Sequence, residues 1–183
     1  MRVQGRNRER AVTTFRRFAC PVGELVLTAS DVGLTGIYFP TSRHGPPRLE
    51  REDWVEDDGR SAAGAILARA CQQLQEYFAG TRTAFEVPLA ASGTAFEQRV
   101  WELLRAIPYG TTTSYGALAH RLGDPRATRA VGAANGKNPT PIIVPCHRVV
   151  GARGELTGFG GGIDRKRWLL EHEGALMRLG GGG

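Results

Sequence analysis

The sequence predicts an α/β (α+β) protein in two domains: a small sheet-plus-helix domain over residues 12–90 and a helical domain over residues 91–176 that carries a helix-turn-helix. Three observations lead there. A chain of 183 residues with 41% hydrophobic side chains supports one or two compact cores. Apolar residues alternate at period two early in the chain and recur at the helical period later. The formal charge of +6 is also unevenly divided: residues 1–90 hold 12 basic against 11 acidic side chains, residues 91–183 hold 12 against 7.

The arginine-rich start, residues 1–11, and the glycine-ended stretch 177–183 read as flexible tails. Gly23–Thr28 and Gly33–Phe39 alternate as two antiparallel strands, with a turn over Asp31–Gly33. Pro40 to Asp58, with Pro46, Pro47 and an acidic cluster, reads as a loop. Over Ala62–Phe78 the residues Ile66, Leu67, Ala70, Leu74, Tyr77 and Phe78 share one helical face, and Gly80 ends it. Phe85–Leu89 reads as a short edge strand and Ala90–Ser92 as a linker.

In the second domain Thr94 is the N-cap of a helix striped by Phe96, Val100, Trp101, Leu103 and Leu104, running up to Pro108. Tyr109-Gly110 makes a turn. Ser114 caps a helix over Tyr115–Leu122 that Gly123 ends. Pro125 opens the next, over Arg126–Asn135, with Gly136 past its end. Ile142–Val144 is a buried stretch leading into Pro145-Cys146-His147-Arg148, read as a strand-to-helix junction. Arg165–Glu173 is a last helix with Trp168, Leu169 and Leu170 inside.

No apolar run approaches the roughly 20 residues of a membrane helix. No hydrophobic segment follows the arginine-rich start as a secretion signal requires, so no membrane role is expected. Cys20, Cys71 and Cys146 are odd in number and show no C-x2-C spacing. That implies reduced thiols, a cytoplasmic setting and no structural metal. The basic second half fits a polyanionic partner, most simply nucleic acid, or a surface kept charged for solubility.

Two features could carry chemistry. The helix pair joined by Gly123-Asp124-Pro125 has the length and turn of a helix-turn-helix. Its second member offers Ala127, Ala130, Gly132, Ala133 and Ala134, with Arg126, Arg129 and Lys137 projecting. Small side chains admit another body close to the backbone, and cations bind phosphate; the same pattern also fits the packed side of an ordinary helical hairpin. The second feature is Cys146-His147. A free thiol titrates near ~8.5, so a nucleophilic cysteine needs a base or a nearby cation. Neighbouring side chains rarely bond each other, so His147 would act through a bridging water. A buried structural cysteine beside a surface histidine is the other reading.

The combination narrows the choice. Gly93-Thr-Ala-Phe-Glu-Gln-Arg-Val-Trp101, Ile107-Pro-Tyr-Gly-Thr111, Arg129-Ala-Val-Gly132, Asn138-Pro139, Pro145-Cys-His-Arg-Val-Val150, Gly158–Gly162 and Arg165-Lys-Arg-Trp-Leu-Leu-Glu-His-Glu-Gly174 follow one another in order. Together they resemble the O6-alkylguanine-DNA alkyltransferase family, DNA repair proteins that move an alkyl group from O6 of guanine to their own cysteine. The match is continuous from Gly93 to Gly174 and weaker before it.

The resemblance implies a winged-helix-like second domain that binds double-stranded DNA containing O6-alkylguanine through the minor groove. The groove is only about 6 Å wide, which suits a bare helix. It further implies a monomer, with cooperativity on DNA left open, that flips the damaged nucleotide out and reacts once, with no cofactor. By this likeness Cys146 is the acceptor, His147 the water-linked base and Glu173 the carboxylate that orients it. Tyr115 donates toward N3 of the departing guanine, and Asn138 braces the turn before the cysteine. Arg129 fills the gap left by the extruded nucleotide, with Thr94, Tyr115, Ala127, Ala130 and Lys137 on the DNA side. Pro141, Val144, Phe159 and Gly160 surround the substrate pocket.

Phe159 stands where many members have tyrosine and Gly160 where some have serine. The run Gly160–Gly162 then implies a roomier pocket that accepts alkyl groups larger than methyl. Cys20 and Cys71 do not reproduce the cysteine cluster of the zinc-bearing domain fused to some relatives, so no metal is expected. Two alternatives compete. A noncatalytic alkyltransferase-like lesion-binding protein would lack the acceptor thiol, whereas Pro145-Cys146-His147 is intact here. A cysteine hydrolase would need neither Arg129 nor a helix-turn-helix. The first domain offers no chemical constellation and reads as structural.

Overall fold

The computed structural model describes residues 13–40 and 53–176. The tails predicted at 1–11 and 177–183, and most of the loop predicted over 40–58, lie outside the described residues. The chain begins with β1 (Thr13–Cys20), β2 (Gly23–Ser30) and β3 (Gly33–Tyr38), an antiparallel meander. A three-residue strand β4 (Trp54–Glu56) then pairs parallel to β1, giving the order β3-β2-β1-β4. β1 and β4 were not read as strands. β1 carries Phe15-Arg16-Arg17-Phe18 with half-buried positions between, and its apolar alternation is too dilute to stand out. β4 is fixed by pairing rather than by its own sequence.

β2, one of the two interior strands, is buried along Leu25–Ala29. The helix α1 (Ala62–Phe78) lies across the first three strands with Leu67, Ala70, Leu74 and Tyr77 inward. Ser61 caps it, its hydroxyl accepting from Gly64 N–H at 2.9 Å. Its end is the predicted one: Gly80 takes a left-handed φ of 75° where a side chain would be strained. Phe85–Leu89 is extended but forms no strand. It meets β3 only around Leu89, where Leu34 donates to Pro88 and accepts from Ala90, both at 2.8 Å.

The second half comprises α2 (Ala95–Arg105), β5 (Thr113–Ser114), α3 (Tyr115–Arg121), α4 (Thr128–Gly136), β6 (Val149–Val150) and α5 (Ile163–His172). Thr94 caps α2 in a full capping box with Glu97. Gly123 ends the α3 turn at φ 88°, and a 3₁₀ turn over Pro125–Ala127 leads into α4. α4 therefore starts two residues later than predicted and includes Gly136. β5 and β6 pair parallel as a two-stranded wing. The Trp101 indole N–H donates to the Ala134 carbonyl at 2.9 Å, setting α2 against α4. Ile142, Ile143 and Leu169 pack into the core of the amino-terminal sheet and helix, so the two halves share that apolar cluster, while a second cluster fills the helical half. Trp168 is only partly buried, at the edge of that core. No helix among the described residues is long and apolar enough to cross a membrane.

Candidate active site

The segment before Cys146 is shaped by Asn138. Its Nδ2 donates to the Val144 carbonyl at 2.7 Å and its Oδ1 accepts from Thr140 N–H at 3.1 Å, so one amide bridges both ends of the loop. Val144 N–H returns to the Thr140 carbonyl at 2.9 Å. At the apex Ile142 has φ 74° and is fully buried. A β-branched residue in that region costs on the order of 1–3 kcal/mol and persists only when its surroundings enforce it; here the side chain is anchored in the core below the sheet. Pro145 then leads into a 3₁₀ turn over Cys146–Arg148 that continues as β6. The cysteine thus follows a strained loop, not a strand, and begins a single tight turn rather than a helix.

Cys146 is 4% exposed and lines a cavity of about 270 Å³. The walls come from Ile37–Phe39 at the end of β3, Asn135–Pro139 at the end of α4 and just past it, Pro141, and Gly158–Gly161. Burial pushes the Cys146 thiol up to about 11, against the lowering effect of the Asn138 amide and the Lys166 ammonium. At neutral pH the group is a thiol and needs a base.

His147 is fully buried, and its Nε2 lies 2.7 Å from Glu173 Oε1. Burial holds the imidazole below its ordinary value, with the Arg148 and Lys166 charges acting the same way against Glu173. A neutral ring facing a carboxylate donates from Nε2, which leaves a lone pair on Nδ1. That Nδ1 is buried and accepts from no protein group among the described residues.

Glu173 is the hub of this network. Oε1 also accepts from the Tyr77 hydroxyl at 2.7 Å and Arg148 Nη2 at 3.0 Å; Oε2 accepts from Arg148 Nε at 2.8 Å and Gly110 N–H at 3.3 Å. Burial alone would raise its carboxyl, but the hydrogen bonds from His147 and Arg148 and the Arg148 charge outweigh that and hold it well below the carboxylate range. Arg148 Nη1 donates to the Ile107 carbonyl at 2.6 Å. Burial and the nearby carboxylate push the Tyr77 phenol up, keeping it a donor.

Tyr115 begins α3 behind the Ser114 cap, and its hydroxyl donates to the Thr157 carbonyl at 3.1 Å. It is not a cavity wall but stands at the rim: a Cβ on Gly158 would lie 3.4 Å from that hydroxyl. Lys166 is completely buried, donating to the Val149 and Thr157 carbonyls at 2.5 and 2.6 Å, with Nζ 6.0 Å from the Tyr115 ring centre. Burial pushes it down to about 8, and a charged Cys146 would raise it.

On the outer face of α4 and its approach, Arg126, Arg129, Ala130, Ala133 and Lys137 are exposed, while Ala127 is half-buried. Lys137 is held by Glu97 Oε1 at 2.8 Å, and the Thr94 hydroxyl is occupied as a cap, accepting from Glu97 N–H at 3.2 Å. Pro141, Phe159 and Gly160 line the cavity. Val144 does not: its side chain packs in the helical core with Val100, Trp101 and Leu104, and only its carbonyl serves the site, through Asn138. The amino-terminal domain is not merely structural either, since β3 supplies a wall and α1 supplies Tyr77.

Lys166, Arg148, Tyr77 and Phe39 were absent from the candidate site residues. Lys166 had a readable signal, because it shares a helical face with Leu169 and Leu170 and a lysine on an apolar face is unusual. Tyr77 and Phe39 looked like ordinary core residues.

A buried Cys-His-Glu array beneath an apolar cavity, set behind a helix-turn-helix, defines a protein that keeps a base-assisted thiol beside a nucleic-acid-reading motif. Comparison with known proteins makes the class specific. Residues 14–91 match the family model "6-O-methylguanine DNA methyltransferase, ribonuclease-like domain", and residues 95–175 match "6-O-methylguanine DNA methyltransferase, DNA binding domain". The chain is 49% identical over 159 residues to a methylated-DNA--protein-cysteine methyltransferase of Mycobacterium tuberculosis, covering 87% of this chain and 91% of the relative. It is 42% identical over 159 residues to the constitutive methylated-DNA--protein-cysteine methyltransferase of Bacillus subtilis, covering 84% and 90%. The crystal structure of the M. tuberculosis O6-methylguanine methyltransferase superposes with a TM-score of 0.78 at 46% identity, covering 90% of this chain and 94% of that one. That of M. tuberculosis OGT in complex with DNA gives 0.78 at 47% identity, covering 88% and 93%. This chain belongs to the 6-O-methylguanine DNA methyltransferase family.

Proposed function

We propose that the protein is a DNA repair methyltransferase that takes the alkyl group from O6-alkylguanine in DNA onto Cys146 and is consumed by doing so. The observation that carries this is a buried thiol lining an apolar cavity, with the adjacent imidazole held by a buried carboxylate through Nε2 so that Nδ1 is left as the basic nitrogen. Cys146 Sγ attacks the saturated carbon on O6, forming an S–C bond as the O–C bond breaks. Its proton passes through a water to His147 Nδ1, and the imidazolium is held by Glu173. Lys166 favours the transient thiolate by its charge. Tyr115 donates toward N3 of the leaving guanine and is reprotonated from solvent, while His147 returns its proton to solvent, so the net change is one alkyl group gained by sulfur and one proton by guanine. The thioether has no leaving route, so the reaction is stoichiometric.

The DNA side of the reading places the α4 face in the minor groove, where Ala127, Ala130 and Ala133 let the backbone approach. Arg129 occupies the gap of the flipped nucleotide, with Thr94 and Lys137 toward the phosphates. Asn138 positions the loop beneath the base, and Pro141, Phe159 and Gly160 wall the pocket with room for groups larger than methyl. The protein acts as a monomer in the cytoplasm. Residues 12–90 and 91–176 are its two domains, a division supported by family models that end at residue 91 and resume at residue 95. A noncatalytic lesion-binding role is not favoured, because the acceptor thiol is present.

Intact mass and peptide mapping after mixing with O6-methylguanine duplex test the proposal. One added methyl on Cys146 per molecule, with Cys146→Ala still binding DNA but gaining none, is the expected result. A lesion removed while Cys146 stays unmodified overturns it.

A further inference from the structure

The amino-terminal sheet supplies part of the cavity that holds the thiol. At the end of β3, Phe39 lines it together with Cys146 and Phe159. The Phe39 and Phe159 rings meet edge-on, with centroids 5.6 Å apart and planes at 65°. The Gly161 backbone lies against both: a Cβ there would stand 2.7 Å from the Phe159 ring and 2.9 Å from the Phe39 ring. Arg165 completes the arrangement. Its guanidinium carbon is 5.6 Å from the Phe39 ring centre, Nε donates to the Val22 carbonyl at 2.6 Å, and Nη1 donates to the Gly161 carbonyl at 2.9 Å. One side chain of α5 therefore joins the β1–β2 turn, the Phe39 ring and the glycine run of the cavity. Ile37 N–H, donating to the Pro139 carbonyl at 2.7 Å, fixes the same strand end to the loop that carries Asn138.

From this arrangement we infer that Phe39 is a specificity-determining residue, held in place by Arg165 as a positioning residue, and that it limits the size of the alkyl group received by Cys146. The inference rests on the alkyl-transfer reading above. A close-packed aromatic wall does not yield without cost, and apolar pockets sort substrates by about 10- to 200-fold per methylene. Removing the Phe39 ring opens space along the cavity that Cys146 lines. The amino-terminal domain thereby takes part in choosing the lesion.

Single-turnover transfer from O6-methylguanine and O6-benzylguanine, each in the same duplex, tests this in the wild type, Phe39→Ala, Phe39→Leu, Arg165→Ala and Arg165→Lys. The benzyl-to-methyl rate ratio is internal to each preparation, so loss of folded protein cancels. The ratio is expected to rise about tenfold or more in Phe39→Ala, less in Phe39→Leu, and in the same direction in Arg165→Ala, with Arg165→Lys nearer the wild type. Phe39→Leu carries the test if the alanine variant does not fold. A ratio unchanged or lowered in the Phe39 variants, with methyl transfer intact, overturns the assignment of Phe39. An unchanged ratio in Arg165→Ala overturns that of Arg165. If the wild type itself gains no methyl on Cys146, it is the alkyl-transfer reading that fails.

Discussion

Replacing Glu173 by glutamine keeps the side-chain shape and removes the charge on which the buried network depends. The carboxylate accepts from Tyr77, His147, Gly110 and twice from Arg148, all within 3.3 Å. An amide has one acceptor oxygen, and its NH₂ group must face donors whichever way it is turned. Arg148 is 5% exposed, so its guanidinium would stay buried beside a neutral partner. Breaking a buried pair from one side costs about 3–5 kcal/mol. We expect Glu173→Gln to lose that much in urea unfolding at pH 7, with the double variant Glu173→Gln/Arg148→Met recovering part of it. The pH dependence has a definite sign. Because the folded-state carboxyl lies below its ordinary value, its contribution is full above the unfolded value near ~4.3 and is lost as pH falls toward the folded one. The gap between wild type and variant should therefore narrow on acidification below about pH 4. A loss under about 1 kcal/mol at pH 7, or a gap independent of pH, would falsify the account of Glu173 as an ionised hub.

Three further outcomes are expected. Because burial holds His147 below its ordinary value, the methyl-transfer rate constant should stay level as pH falls through about 6.5 and decline only below it, whereas reagent alkylation of Cys146 in the free protein should be slow at neutral pH and quicken toward about 11; a rate midpoint at or above ~6.5 contradicts the neutral-base reading. Gly161→Ala should cost about 1–3 kcal/mol through the two rings its Cβ would meet, while Gly160→Ala, with nothing within 4 Å of its Cβ, should change stability by less than about 0.5 kcal/mol; equal melting temperatures refute the packing argument. Arg129→Ala should slow repair in duplex DNA far more than transfer from free O6-benzylguanine, and equal slowing of both rules out a part in base extrusion.

Much of the fold could be read residue by residue. Thr94 and Ser114 each stand at a helix start whose orphan N–H groups they satisfy, and Gly80 and Gly123 end their helices with the positive φ that favours glycine. Such signals are local, so they survive in a one-dimensional string. β4 was not legible because its partner is remote in sequence, Thr13 pairing with Trp54, and β1, although joined to β2 by a tight turn, carries too dilute an apolar alternation. Phe85–Leu89 showed the opposite error: its composition suits a strand, yet only the neighbourhood of Leu89 reaches the edge of β3.

At the site, the chain alone marked out candidates for the chemistry. Cys146 and His147 stood out in the string, the family resemblance added Glu173, and the string also set out the helix-turn-helix with its small, basic second member. Only the tertiary structure decided what surrounds them. It drew Tyr77 from α1 and Arg148 to one carboxylate, buried Lys166 on two carbonyls, turned Val144 away from the cavity and brought Phe39 into it. The reason is physical: caps and turns are fixed by neighbours a few residues away, whereas burial, pKa and the shape of a cavity depend on whichever distant segments the shared core brings together.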